Sequence, residues 1–474
     1  METIAQQLGR VAYQITQDGL SQDLRREASR RILDVIGNSI AATNQPATQV
    51  VNNIVKAWAG PADSFAIGAA KLPASAAALL NGTLAHAMDF DDTHLPSVLH
   101  PSASVVPAAL AVGSKLGSKP TDVLDAITFG IEVTCRLGMA GFDRKLGNSV
   151  FFERGFHATS ICGTLGSAVA AAMLMKMNAD EITSAIGISA SMGAGLLEAN
   201  RTGGTVKRMH CGWAAHGGVV AAELAKGGLT GPPTVIEGRF GFMQAYCGDQ
   251  VNLNEITDGL GTSWVLPDLF FKPYPCNHFT HTGIDAARAL KAKGVTPDQI
   301  ASIDLGVPSP VLRTIAEPRE SKIKPESGYH AAFSGPFTVA AAFYRENGLG
   351  LFHEDFEDES AHDPQILALA AKVNVNASDE CDAIFPFQFP AVLTAHLKDG
   401  SSMTEKVLVN RGGPQNPLTD DELALKFESN VRESLNQEKA REVAHTIFDF
   451  ATNKTSLADL AVLLEPVSYT HLTL

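Results

Sequence analysis

Five segments in the first half of the chain, residues 104–117, 121–139, 158–177, 180–197 and 212–227, are rich in Ala and Gly and carry few charges. A helix of that texture has no broad polar face to offer water, so it must be buried and packed closely against other helices. Several such segments in succession predict a large helical domain with an internal layer. Residues 4–16 and 23–43 are instead amphipathic, with Ile32, Val35, Ile36 and Ile40 on one stripe, as outer helices of that domain would be. The glycines of GTLGSA and MGAGLLE resemble fragments of nucleotide motifs, but no strand precedes them and no G-K-[ST] comes after. Close helix packing accounts for them.

After about residue 265 the texture changes. IASIDLGVP, ALAAKVNVNAS, FPAVLTAHLKDG and SMTEKVLVNR alternate with period two and are predicted strands, the last two joined through a K-D-G turn as a hairpin. HTGIDAARALKAK and YHAAFSGPFTVAAAFY between them have helical patterns, and helical pattern resumes at DDELALKFESNVRESL and QEKAREVAHTIFDFA. The predicted fold is therefore mainly α with an inserted α+β domain. The helical domain covers 1–267 and returns at 412–463, the α+β domain covers 268–411, and 464–474 form a tail that fits no element.

A length of 474 residues, 45% of them hydrophobic, is enough for two domains. The net charge of -14 argues against a nucleic-acid or anionic-membrane partner, so a small anionic substrate would need a local cationic pocket. METIAQQLGR lacks the basic start and apolar core of a signal peptide, and no apolar run reaches the length of a membrane span, which predicts a cytoplasmic protein. Cys135, Cys162, Cys211, Cys247, Cys276 and Cys381 show no paired spacing. Reduced thiols are expected, without disulfides or an iron–sulfur cluster.

Chemistry concentrates in residues 86–104, HAMDFDDTHLPSVLHPSAS, which hold His86, His94, His100, Asp89, Asp91, Asp92 and Thr93. The Ala- and Leu-rich residues before it predict a buried helix ending near Phe90, with His86 and Asp89 sharing a face. Pro96 keeps the residues around it out of helix, and the next helix starts at Pro101 or at Pro107. In the first case His100 stands at a helix N-terminus, where the dipole disfavours an imidazolium and attracts a substrate carboxylate. A neutral histidine there is a usable general base or acid. The bland alternative is that DFDD caps helices or holds a divalent ion through Asp91 and Asp92. The run lacks the D-x-D-x-D-G spacing and distal Glu of a calcium loop, and no H-E-x-x-H or C-x-x-C supports zinc. A catalytic loop without metal is the preferred reading.

Four further stretches bear polar groups among small residues. RGFHATSICGTLG places His157 at the start of a buried helix, as a core histidine or a functional one. RTGGTVKRMHCGWAAHGG gathers Arg201, Lys207, Arg208, His210 and His216 before a helix, an arrangement suited to carboxylates. FFKPYPCNHFTH carries Lys272, Tyr274, Cys276, His278 and His281 on a proline-stiffened segment at the change of texture. In SGYHAAFSGPFTVAAA, His330 and Ser334 fit a helix cap and core packing.

The DFDDTH…HPSAS loop, the KRMHCGWAAHGG stretch and the FFKPYPC junction, in that order, resemble the MmgE/PrpD family of 2-methylcitrate dehydratases, cis-aconitate decarboxylases and iminodisuccinate epimerases. The resemblance runs from residue 5 to about 460. It implies a homodimer, a helical domain with a smaller α+β lid, and a cofactor-independent site between them. It carries catalytic roles onto Asp89, Thr93, His100, His157, Lys207 and Lys272, with Arg201, Arg208, His210, Tyr274, Cys276 and His281 as substrate-binding candidates. Two departures stand out. The loop from Thr93 to His100 is one residue longer than in the decarboxylase branch, and Asn277 stands where that branch has histidine; the chain also lacks the longer W-G-H-P-S-D form of one dehydratase branch. The expected activity is a lyase or isomerase of a small di- or tricarboxylate, first a 2-methylcitrate dehydratase-like hydro-lyase, with an epimerase or a decarboxylase as alternatives. A non-catalytic polycarboxylate-binding protein is the alternative of another class.

Overall fold

A computed structural model describes residues 2–199 and 204–464. The chain divides into two compact units, one drawn from Met1–Leu269 and Phe427–Leu474, the other from Phe270–Lys426. It is mainly α with a smaller α+β part.

The first unit contains α1 (Ile4–Asp18), α2 (Gln22–Ala41), α3 (Pro46–Lys56), α4 (Ala74–His86), α5 (Ser102–Leu116), α6 (Pro120–Ala140), α7 (Ala158–Leu174), α8 (Ala179–Ser189) and α9 (His210–Lys226). α4, α5, α6, α7 and α9 form the internal layer, and almost every residue of α7 is fully buried. Glycine permits this density. A Cβ at Gly166 of α7 would lie 2.3 Å from the carbonyl oxygen of Gly130 in α6, and one at Gly82 of α4 would lie 2.8 Å from Gly212 Cα in α9. At such crossings a side chain would force the backbones apart, so the charge-poor segments read from the sequence are indeed those whose backbones nearly touch. All six cysteines are buried and free. Among the described residues no helix is long and apolar enough to cross a membrane.

The second unit is a four-stranded sheet with helices against it. β1 (Ile300–Val307) lies between β2 (Val373–Ala377), to which it is parallel, and β3 (Ala391–Leu397), to which it is antiparallel. β4 (Ser402–Val407) completes the sheet as a hairpin with β3 through the expected K-D-G turn, where Gly400 takes a φ of 88°. α10 (His281–Ala292) and α11 (Gly335–Tyr344) pack together and bury the apolar side chains of β1 and β3.

Several local expectations are corrected. α4 stops at His86 rather than near Phe90, and Asp89 takes a φ of 53°, so the two do not share a helix face. α5 begins at Ser102, with Pro101 in the cap and Pro107 inside the helix. α8 ends at Ser189 instead of continuing to 197, because Gly193 and Gly195 come next and Gly195 adopts a φ of 156°. ALAAKVNVNAS begins in the last turn of the helix Pro364–Ala370 and only then becomes strand, Val373–Ala377. YHAAFSGPFTVAAAFY is two helices, because Ser334 caps α11 by accepting from the Phe337 N–H at 3.0 Å.

Candidate functional site in the first unit

The segment between α4 and α5 is fixed from several sides. Asn38 of α2 donates to the Phe90 carbonyl at 3.1 Å, and Thr159 Oγ1 accepts from the His100 N–H at 3.2 Å. His94 and Leu99 exchange backbone hydrogen bonds, which closes the loop on itself. Asp89 and Val98 both have left-handed φ values, 53° and 56°. For side-chain-bearing residues that costs about 1 kcal/mol each, so the surroundings must over-determine this loop.

Its three aspartates have separate partners. Asp92 accepts from Ser102 Oγ at 2.5 Å and from the Ser102 N–H at 3.3 Å, with Arg31 at 3.8 Å. It therefore caps α5, and the anion at this helix N-terminus is Asp92 itself rather than a substrate carboxylate. Burial pushes Asp92 up to about 6, against the pull of Arg31 and Ser102. Asp91 lies 2.8 Å from His86 Nδ1, both fully buried, and Asp89 meets Lys207 at 3.4 Å.

Four histidines come together here. The His86 ring is centred 5.6 Å from that of His100 and 5.5 Å from that of His157, and His157 is 5.0 Å from His210. Burial opposes charge on His86, but the Asp91 carboxylate and the neighbouring Cys211 outweigh it and push the ring up to about 10. Burial, reinforced by the charges of His86 and Lys207, holds His157 well below its ordinary range and His210 down to about 4. The surroundings thus favour charge on His86 and oppose it on His157 and His210. The Nδ1 atoms of His157 and His210 are 2.9 Å apart, so one donates and the other accepts, which forces opposite tautomers. His100 Nδ1 is 2.7 Å from the Asp92 carbonyl, which can only accept, so Nδ1 carries a proton, and in the neutral ring Nε2 then holds the lone pair of a base. Thr93 Oγ1 lies 3.4 Å from the same Nδ1.

The structure thus brings together Asp89, Thr93, His100, His157, Lys207 and His210. Lys272 belongs to the second unit, where it is buried. Arg201 lies outside the described residues. Arg208 points Nη1 at Gln45 Oε1 at 3.4 Å, and His216 Nδ1 donates to the Ser75 carbonyl at 2.9 Å, outside the cluster. In the second unit Tyr274 donates to Asp285 at 2.5 Å, Cys276 meets Thr280 at 3.2 Å and His281 meets the Cys276 carbonyl at 3.2 Å. All three are buried in hydrogen-bonded positions. Sequence reasoning assigns no site role to His86 or Cys211; the signal for His86 lay in the approach of Asp91 after the helix end, which a helix continued to Phe90 conceals.

Among the described residues His86, Asp91 and Cys211 offer ligand atoms within 4.8 Å of one another. His86 Nδ1 is already engaged by Asp91 at 2.8 Å, so a metal would have to break that pair to take both groups as ligands.

His94 serves the loop rather than the cluster. It is buried against Ser97 Oγ at 2.7 Å, and burial pushes it down to about 3. A group whose pKa is depressed on folding contributes full stability above its unfolded value near 6.5 and loses it as pH falls towards the folded value. Between pH 7.5 and 5, His94 should therefore cost about 2 kcal/mol of stability. Urea unfolding at the two pH values should show the loss, and His94→Asn should reduce it; an unchanged difference in that variant would assign it elsewhere.

The MmgE/PrpD N-terminal domain family matches residues 6–254 and the MmgE/PrpD C-terminal domain family residues 274–449. Cis-aconitate decarboxylase of Mus musculus is 28% identical over 471 residues, 98% of this chain and 93% of the relative. The Homo sapiens protein of that name is 28% identical over 452 residues, 94% and 90% of the two chains. That of Aspergillus terreus is 25% identical over 472 residues, 96% and 94%.

Proposed function

Because the chain belongs to the MmgE/PrpD family, we propose that it is a lyase that acts on a small di- or tricarboxylate by moving a proton next to a carboxylate. The observation that carries this reading is the buried histidine cluster beside Lys207. Loss of water or of CO₂ from a polycarboxylate passes through negative charge developing beside a carboxylate, and a fixed cation stabilises that charge where it forms. Lys207 supplies such a cation on a short 3₁₀ turn, Val206–Met209. The proposed roles are Lys207 as carboxylate anchor, His100 as base through Nε2, and His157 as the proton partner, with Asp89 holding Lys207 and Thr93 steadying His100. Lys272 enters on the family resemblance alone.

The bond that breaks has two readings. The names of the relatives favour decarboxylation of a cis-aconitate-like substrate. The longer Thr93–His100 loop and Asn277 depart from the decarboxylase branch, and the missing W-G-H-P-S-D form departs from one dehydratase branch, so dehydration stands as the second reading. Incubating chelator-treated protein in D₂O with a panel of polycarboxylates and monitoring them by NMR separates the two. Loss of CO₂ supports the first, a new alkene with water released supports the second, and deuterium exchange alone indicates an epimerase. Activity should survive chelation, because the proposed charge comes from lysine; loss of turnover restored by a divalent ion would overturn that, and no change in any compound would remove the enzyme reading.

We also propose a homodimer formed through the face that carries Val50, Ile54, Trp58 and Trp213. Trp58 and Trp213 are each 40% exposed, and both flank the ring of His216, at 5.7 and 5.4 Å. Two exposed tryptophans joined to an apolar helix stripe are unusual on a monomer's surface and suit a second copy of the same face. Sedimentation at micromolar protein should give a dimer, and Trp213→Glu should weaken it; a fully active monomer would contradict the proposal.

A further inference from the structure

We propose that His86, held by Asp91, is a positioning residue of the candidate site: a buried imidazolium that keeps the histidines around it neutral and their lone pairs available for proton transfer. The inference rests on the function proposed above and adds to it a residue that does not itself meet the substrate.

The geometry is that of a charge under a cluster. His86 closes the last turn of α4, and Asp91 returns from the loop to place Oδ2 2.8 Å from Nδ1. Both are shut off from water. A carboxylate with no solvent requires a counter-charge within reach, and the imidazole is in hydrogen-bond contact with it. The rings of His100 and His157 lie 5.6 and 5.5 Å away, well inside the range at which a unit charge acts in a poorly solvated interior. The groups facing His86 come from every neighbouring element: Asp91 and His100 from the loop, His157 from the cap of α7, Cys211 and His210 from the start of α9, and Lys207 from the turn before it. Arg31 and Asp34 of α2 act on Asp92. Of these Asp91, in hydrogen-bond contact at 2.8 Å, is the largest opposite charge on His86, and Cys211 adds to it.

The consequence is directional. Burial is the main cause that disfavours a proton on His157 and His210, and the positive charge of His86 adds to it, making a second proton in the cluster less favourable still. Removing that charge makes protonation easier, and the base form is then lost at higher pH.

The test has two readouts. In substrate-free protein with ¹⁵N-labelled histidine, His86 should show both ring nitrogens protonated up to about pH 9, assigned by its absence in His86→Gln, while His157 and His210 remain neutral at pH 7. In His86→Gln and in Asp91→Asn, His157 and His210 should titrate about one to two units higher, and the acid limb of the kcat/KM profile, set by the base His100 whose ring lies 5.6 Å from His86, should also move up, with no further shift in the double variant. A role confined to packing would lower activity evenly across pH and leave the limb in place. His86 titrating near its ordinary 6.5, or unmoved neighbours in both variants, overturns the proposal. The NMR readout needs no turnover, so it stands even where no substrate is found.

Discussion

Replacing His100 by Gln should cut kcat by about 10² or more with the fold intact, the scale expected for loss of a general acid–base group. Glutamine can still donate to the Asp92 carbonyl that His100 Nδ1 meets at 2.7 Å, and the backbone hydrogen bond to Thr159 is indifferent to the side chain. What it lacks is the basic nitrogen on the other side of the ring. Lys207→Ala is the informative comparison. It removes a cation whose partner charge grows during the reaction, so it should raise KM and lower kcat together. The two variants thus separate proton transfer from carboxylate binding. A His100→Gln protein with near-normal kcat at every pH would make the loop a structural clasp, a role that Asp92 and His94 already demonstrate within it.

The different fates of the loop's residues show what the sequence could and could not reveal. Composition and period were enough for the helical layer and for the hairpin of β3 and β4, because burial and strand alternation are written in the local pattern. The histidines and lysine of the candidate site were legible as residue types in three motifs, but their grouping was not. His157 and His210 are far apart in the chain and meet at 2.9 Å only because α7 and α9 pack side by side. Nor did the pattern assign partners to the three aspartates. One turn of helix too many after His86 put Asp89 on its face and left Asp91 to a cap or an ion, whereas the observed break gives Asp91 to His86, Asp89 to Lys207 and Asp92 to the cap of α5. Helix ends depend on which tertiary partner takes the last polar groups, and that information is not local.

The glycines carry the link between fold and site, and Gly212→Ala should expose it. Gly212 is in the first turn of α9, beside Cys211 and His210, and it faces α4 one turn before His86. A Cβ there would stand 2.2 Å from the Leu79 carbonyl oxygen and 2.3 Å from Thr83 Oγ1, and a backbone oxygen inside a helix has nowhere to retreat. Alanine is the better helix former by about 1 kcal/mol, but overpacking at a fixed crossing costs about 1–3 kcal/mol, so the net effect should be a loss of stability. The larger effect should be on activity. Moving α9 away from α4 by about 1 Å separates His210 and Cys211 from His86, and displacement of that size at a catalytic constellation costs about 10² in rate. Gly227→Ala at the other end of α9 is the control, since Gly227 has a φ of -76° and its Cβ would meet nothing nearer than 3.4 Å. It should be neutral or slightly stabilising. If Gly212→Ala unfolds at the same denaturant concentration as Gly227→Ala and turns over substrate equally fast, the close approach of α4 and α9 is not what sets the histidine cluster.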